Sequence, residues 1–117
     1  MVKTSTEKFV AVGTVDDFPR NGGACVLVDG EQIAVFNFDH KDWYAVQNRC
    51  PHEKQMVLSR GLIGDAKGEP KVACPLHKNQ FSLVDGHHLG GNPEFQLKKW
   101  NVRVIDNTVQ VGAKAIN

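Results

Sequence analysis

Four residues in two short pairs constrain this chain more than any other feature. They are Cys50-Pro51-His52 and Cys74-Pro75-Leu76-His77, with twenty-one residues between the pairs. Each pair carries one thiolate and one imidazole, so a fold that uses them must bring two loops face to face. Two inorganic centres accept such a set. One is a [2Fe–2S] cluster with two Cys on one iron and two His on the other. The other is a Cys2His2 zinc ion. Zinc knuckles usually draw two like ligands from one loop. Here each loop offers one of each kind, with a single residue between Cys50 and His52. That is tight for one tetrahedral ion and natural when the side chains of one loop reach different iron atoms. The arrangement favours the cluster, with zinc as the alternative.

A chain of 117 residues fits a single domain, residues 1–117, with a modest core that gains from a metal tying loops together. The formal charge of +1 gives no support to a nucleic-acid-binding tail or a membrane-binding face. No apolar run approaches the roughly 18 residues of a membrane span, and the opening M-V-K-T-S-T-E-K-F-V lacks the apolar region of a secretory signal. Beyond the two in the pairs, the third cysteine is Cys25, in the apolar run A-C-V-L-V. It reads as a buried free thiol in a reducing compartment, the cytoplasm.

Short strands separated by turns are expected along the whole length. Phe9 to Val12 ends at Gly13, and Ala24 to Val28 closes on the hairpin signal Asp29-Gly30. Gln32 to Phe38 should return, and Trp43 to Val46 should lead into the first ligand pair. Between the pairs, two short strands are expected, one over Met56 to Ser59 and one over Lys71 to Ala73, joined across Gly64 to Pro70. Phe81 to Val84 leaves the second pair, and Gly90-Gly91-Asn92-Pro93 is a tight loop. Trp100 to Ile105 and Val109 to Val111 flank a turn at Asp106-Asn107. No segment holds a helical period. The fold class is all-β, with a ligand-bearing subdomain, residues 48–82, inserted in it.

Replacing two thiolates by neutral imidazoles makes a [2Fe–2S] centre less negative and easier to reduce. Cys50 and Cys74 are expected on the buried iron, His52 and His77 on the outer one near solvent. Lys54 and Lys78 follow the ligand histidines closely and read as surface residues or as a docking rim for an acidic partner. His40, His87 and His88 read as surface residues, and Trp43 and Phe81 as packing that keeps water away. No nucleophile motif, phosphate-cradling loop or dinucleotide fingerprint is present. Such a chain is an electron-transfer part that is not catalytic alone.

The segments C-P-H at Cys50 to His52 and C-P-L-H at Cys74 to His77 resemble the paired motifs of Rieske-type proteins. The likeness continues through Gln80-Phe81-Ser82-Leu83-Val84-Asp85-Gly86 and Gly90-Gly91-Asn92-Pro93, which resembles the proline loop that closes over the cluster. High-potential members add a cysteine to each loop and form a disulfide. Gln55 and Leu76 stand at those positions here, and Lys78-Asn79 replaces the usual Gly-Ser. Both departures resemble lower-potential ferredoxin-type centres. The resemblance implies a Rieske-type iron–sulfur domain, an antiparallel β-sandwich with a small cluster-binding insert.

Within that group, L-S-R-G-L-I at Leu58 to Ile63 and the P-L-H-K of Pro75 to Lys78 resemble the small subunit of assimilatory NAD(P)H-dependent nitrite reductase. In that family a large subunit carries FAD, siroheme and a [4Fe–4S] cluster and reduces nitrite to ammonium. The resemblance implies an electron-transfer role in nitrate assimilation, with that large subunit as partner and the four ligands on Cys50, His52, Cys74 and His77. A ferredoxin for a ring-hydroxylating dioxygenase shares the cluster and is the first alternative. A zinc-stabilised or metal-free interaction module is the second.

Overall fold

The structure, a computed structural model, describes residues 8–52, 54–76 and 78–116. Among the described residues, ten strands form three antiparallel sheets. In the first, β1 (Phe9–Thr14) pairs with β10 (Thr108–Gly112), which pairs with β9 (Val102–Ile105). In the second, β2 (Gly22–Val28), β3 (Glu31–Phe38), β4 (Asp42–Gln47) and β8 (Lys99–Trp100) lie in sequence order. The third contains β5 (Leu62–Ala66), β6 (Glu69–Ala73) and β7 (Gln80–Ser82).

The central strand β3 explains how three layers stack. Its side chains alternate across the sheet, and both faces are apolar: Ile33 and Val35 point one way, Ala34 and Phe36 the other, all fully buried. Ile33 and Val35 join Phe18, Val28, Ala45, Trp100, Val109 and Val111 in a core shared with the first sheet. Ala34 and Phe36 join Val46, Leu58, Val72, Phe81, Leu83, Leu97, Cys50 and Cys74 in a second core shared with the third sheet. A strand buried on both faces reads as a continuous apolar run, as I-A-V-F does here.

The hairpins are tight because their turn residues accept left-handed backbone. Asp29-Gly30, Lys67-Gly68 and Asp106-Asn107 each have positive φ at both central positions, the pattern that matches strand twist. Two of these turns were expected from sequence. The Lys67-Gly68 turn is narrower than the Gly64 to Pro70 connection expected there.

Three other expectations change. Residues 56–59 are not a strand. Met56 makes an isolated bridge to Arg49, and Leu58–Arg60 forms a 3-10 turn. That turn is held from outside: Leu58 N–H donates to the Asn48 carbonyl (3.0 Å) and Ser59 N–H to Asn48 Oδ1 (2.7 Å). β1 does not stop at Gly13 but continues to Thr14 through a register shift between Ala11 and Gly13. Cys25 is exposed: it shares the insert-facing side of β2 with Gly23, and the Leu58–Arg60 turn that covers the strand at Gly23 leaves Cys25 and Leu27 open. No helix among the described residues is long and apolar enough to cross a membrane.

Candidate metal centre

The two ligand pairs sit on loops built alike. In the first, Cys50 N–H donates to the Gln55 carbonyl (2.9 Å) and Lys54 N–H to the Cys50 carbonyl (2.6 Å). In the second, Cys74 N–H donates to the Asn79 carbonyl (2.8 Å) and Lys78 N–H to the Cys74 carbonyl (2.8 Å). Each cysteine thus opens a turn closed by the residues four and five positions on. Lys54 and Lys78 occupy the same left-handed conformation, φ 60° in each. One loop grows out of β4 in the second sheet, the other out of β6 in the third.

Cys50 and Cys74 are completely buried in the core beneath the loops, whereas His52 is exposed. His52 packs edge-on against Phe95, with ring centroids 5.5 Å apart. His77, the fourth expected ligand, lies outside the described residues. Lys54 and Lys78 are both exposed.

The donor set tests which inorganic group fits. Among the described residues it offers two fully buried sulfurs, Cys50 and Cys74, and the exposed imidazole of His52. Buried sulfurs with an imidazole at the surface would suit a two-iron group held by thiolates on its inner side and by imidazole on its outer side. The residues present fit a [2Fe–2S] centre.

Asn48 anchors the first loop and was not singled out from the sequence. It is 2% exposed. Its N–H donates to the Gln32 carbonyl (3.1 Å), and its Nδ2 to Gln32 Oε1 (3.1 Å) and to Cys25 Sγ (3.5 Å). With the two bonds it accepts from Leu58 and Ser59, it joins β3 to the turn following the first ligand loop. The signal was available: two residues beyond buried Val46, Asn48 falls on the inward face of the strand. Cys25, in contact with Asn48 and Gln32, has its pKa raised by burial.

His88 is the second residue that sequence reading placed elsewhere. It is half-buried. Its ring contacts Phe81 (5.4 Å between centroids) and Phe95 (5.3 Å), because residue 88 bridges to Phe81 as a short extension of the third sheet. His40 is also half-buried, stacked on Trp43, with Nε2–H donating to the Phe18 carbonyl at 2.9 Å. Trp43 packs against the first-sheet core and Phe81 lies wholly inside the other. His87 is on the surface, where Nδ1 meets Asp85 Oδ1 at 2.5 Å. The backbone N–H and then the ring of His87 hold Asp85 below the ordinary carboxylate value, and the bond to Asp85 raises His87.

Comparison with known proteins adds the family. Residues 8–112 match the model of the Rieske-like [2Fe-2S] domain. The chain is 41% identical over 98 residues to the nitrite reductase (NADH) small subunit of Salmonella typhimurium, covering 83% of this chain and 90% of that one. It is 33% identical over 100 residues to the 3-phenylpropionate/cinnamic acid dioxygenase ferredoxin subunit of Photorhabdus laumondii, covering 86% and 90%. Its fold superposes with a TM-score of 0.87 on the putative NADH-dependent nitrite reductase small subunit of Mycobacterium tuberculosis, at 31% identity over 96% of this chain and all of that one.

Proposed function

Since this chain belongs to the Rieske-like [2Fe-2S] domain family, we propose that Cys50, His52, Cys74 and His77 hold its cluster, and that residues 48–82 are the unit that carries it. The chain is the electron-transfer small subunit of an NADH-dependent nitrite reductase; the dioxygenase ferredoxins are more distant relatives. The small-subunit relation implies a large-subunit partner. We take that partner to carry the FAD, siroheme and [4Fe–4S] groups that reduce nitrite to ammonium, and we place the pair in the cytoplasm.

The observation that carries this reading is the asymmetry of the ligand loops: sulfurs sealed in the core, an imidazole edge exposed beside Phe95. When bound, the cluster accepts and passes on one electron. The chain's own residues do the rest. The core around Leu58, Val72, Phe81, Leu83 and Leu97 excludes water from the sulfur side. The loop turns fix the backbone of both cysteines, and exposed His52 presents the edge at which a partner approaches. Lys54 and Lys78, exposed on the two ligand loops, add positive charge suited to an acidic surface on the large subunit.

Anaerobically reconstituted protein should contain two irons and two sulfides per chain and give a rhombic S = ½ EPR signal after reduction. Cys50→Ser and His77→Ala should each lose it. In the complex with the large subunit, His52→Ala should depress NADH–nitrite activity while the subunits still co-purify. Full activity of that variant would leave the chain only a structural role. Co-purification with a mononuclear-iron oxygenase in place of a siroheme protein would transfer the reading to the ferredoxin alternative.

A further inference from the structure

His88 sits where three loops meet, and its hydrogen bonds fix its tautomer. Asn92 N–H donates to Nδ1 (3.1 Å), so Nδ1 carries no proton. Nε2, 3.0 Å from Asn79 Oδ1, is then the protonated nitrogen and donates to it. Each bond leads to a ligand loop. The Asn79 carbonyl accepts the N–H of Cys74, so the Nε2 bond holds the residue that closes the second loop. Asn92 lies in the loop of residues 90–93, and its carbonyl accepts Phe95 N–H (3.1 Å) while its side chain accepts Glu94 N–H (2.9 Å). That turn aims Phe95 at the first loop, where its ring meets His52.

The ring itself is clamped from several sides. Phe81 and Phe95 contact it, the His88 carbonyl accepts Gly91 N–H (3.0 Å), and the backbone of residue 90 passes over its edge. A Cβ at Gly90 would stand 2.5 Å from His88 Cε1 and 3.2 Å from each ring nitrogen, so only glycine lets the loop lie this close.

We infer that His88 is a positioning residue: as a neutral Nε2–H imidazole it locks the second ligand loop, the residue 90–93 loop and Phe95 into one unit that shields the His52 side of the centre. This inference rests on the ligand assignment above, but the clamp exists with or without metal. It predicts a division of labour between isosteres. Asn places an amide oxygen near the Nδ1 position and keeps the bond from Asn92. Gln places an amide nitrogen near the Nε2 position and keeps the bond to Asn79. Phe keeps the ring contacts and loses both bonds.

The test compares His88→Phe, His88→Asn and His88→Gln with Val109→Ala, a cavity variant in the core on the far side of β3. In metal-free protein, exchange of the Asn92 amide should quicken about tenfold in His88→Phe and His88→Gln, and stay near wild type in His88→Asn and Val109→Ala. In reconstituted protein, His88→Phe should lose iron to a chelator about tenfold faster than Val109→Ala and show an altered spread of EPR g-values. Equal exchange at Asn92 in His88→Phe and Val109→Ala would overturn the inference. So would iron release and EPR spectra in His88→Phe that match those of Val109→Ala. If wild-type protein takes up no cluster, the ligand assignment fails, while Asn92 exchange still decides whether His88 is the clamp.

Discussion

Replacing Gly23 by alanine tests whether the insert is wedged against the sandwich as closely as the structure places it. Gly23 lies on β2 opposite Phe36, at the point where the Leu58–Arg60 turn crosses the sheet. A Cβ there would stand 2.5 and 2.6 Å from Phe36 Cε1 and Cδ1 and 2.8 Å from the Ser59 carbonyl oxygen. Ordinary carbon–carbon contact begins near 3.5 Å, so two ring carbons are encroached by about 1 Å. Phe36 is fully buried and cannot swing into solvent. The relief open to the chain is for the Leu58–Arg60 turn to pull away, straining the Ser59 N–H bond to Asn48.

Overpacking of this kind costs about 1–3 kcal/mol, and two ring contacts plus a backbone oxygen belong at the upper end. Alanine in a strand returns about 0.5–1 kcal/mol relative to glycine, leaving a net loss of about 2 kcal/mol. In urea unfolding of the metal-free chain that is a midpoint drop of about 1 M. The control is Gly64→Ala in β5, where the nearest atom to a new Cβ is the flexible Lys71 Cε at 3.5 Å; it should be neutral or slightly stabilising. Amide exchange at Ser59 should quicken in Gly23→Ala alone. If the two alanine variants unfold within about 0.5 kcal/mol of each other, the close approach of turn and sheet is wrong.

Asn48→Ala strips partners from Ser59 N–H and Gln32 Oε1 in a buried site; a loss of about 2–3 kcal/mol in urea unfolding is expected, and a loss below about 0.5 kcal/mol would mean that Asn48 is no anchor. Lys54→Gly and Lys78→Gly relieve left-handed backbone at φ 60°. Against the entropy glycine gives up, each should gain about 0.5–1 kcal/mol, and a fall in the unfolding midpoint would contradict the assigned conformation. The Asp85–His87 pair contributes fully between the ordinary values of 3.8 and 6.5, fades below as Asp85 protonates, and fades above as His87 loses its proton. An NMR titration should show His87 above its ordinary value and Asp85→Asn should bring it down; an unmoved midpoint would break the pairing.

Much of the strand order was legible because it follows from local patterns. Asp29-Gly30 and Asp106-Asn107 carry the side chains that tolerate positive φ, and the I-A-V-F run of β3 shows burial on both faces. The spacing of Cys50, His52, Cys74 and His77 proposed the ligand set, and the burial of both sulfurs beside an exposed His52 suits two-iron chemistry. What escaped was set by tertiary hydrogen bonds. Met56 to Ser59 has strand-like composition, yet Asn48 captures the N–H groups of Leu58 and Ser59 and curls the segment. Cys25 sits in an apolar run, but burial depends on what packs over its face of β2, and the Leu58–Arg60 turn covers that face at Gly23 while Cys25 stays exposed. His88 resembled a surface residue because its partners, Asn79 and Asn92, are polar and its aromatic neighbours are seven residues away on either side.

The two halves of the proposed ligand set belong to different layers, which gives the base–insert contact its importance. Cys50 is carried by β4, a strand of the sandwich, and Cys74 by β6, a strand of the insert. The separation of the two sulfurs is therefore fixed by packing between the layers: Ala34, Phe36 and Val46 against Leu58, Val72 and Phe81, with glycine at position 23 where the backbones meet. A group bound by both cysteines closes the same contact that the core closes. It binds the packed chain and not the unfolded one, so it stabilises that contact by mass action. Conversely, loosening the layers by Gly23→Ala or Asn48→Ala must weaken the hold on the group by the amount of free energy that the packing shares with it. Cluster retention and metal-free stability should then fall together in these two variants, whereas Val109→Ala, which softens the opposite core, should lower stability and leave retention unchanged.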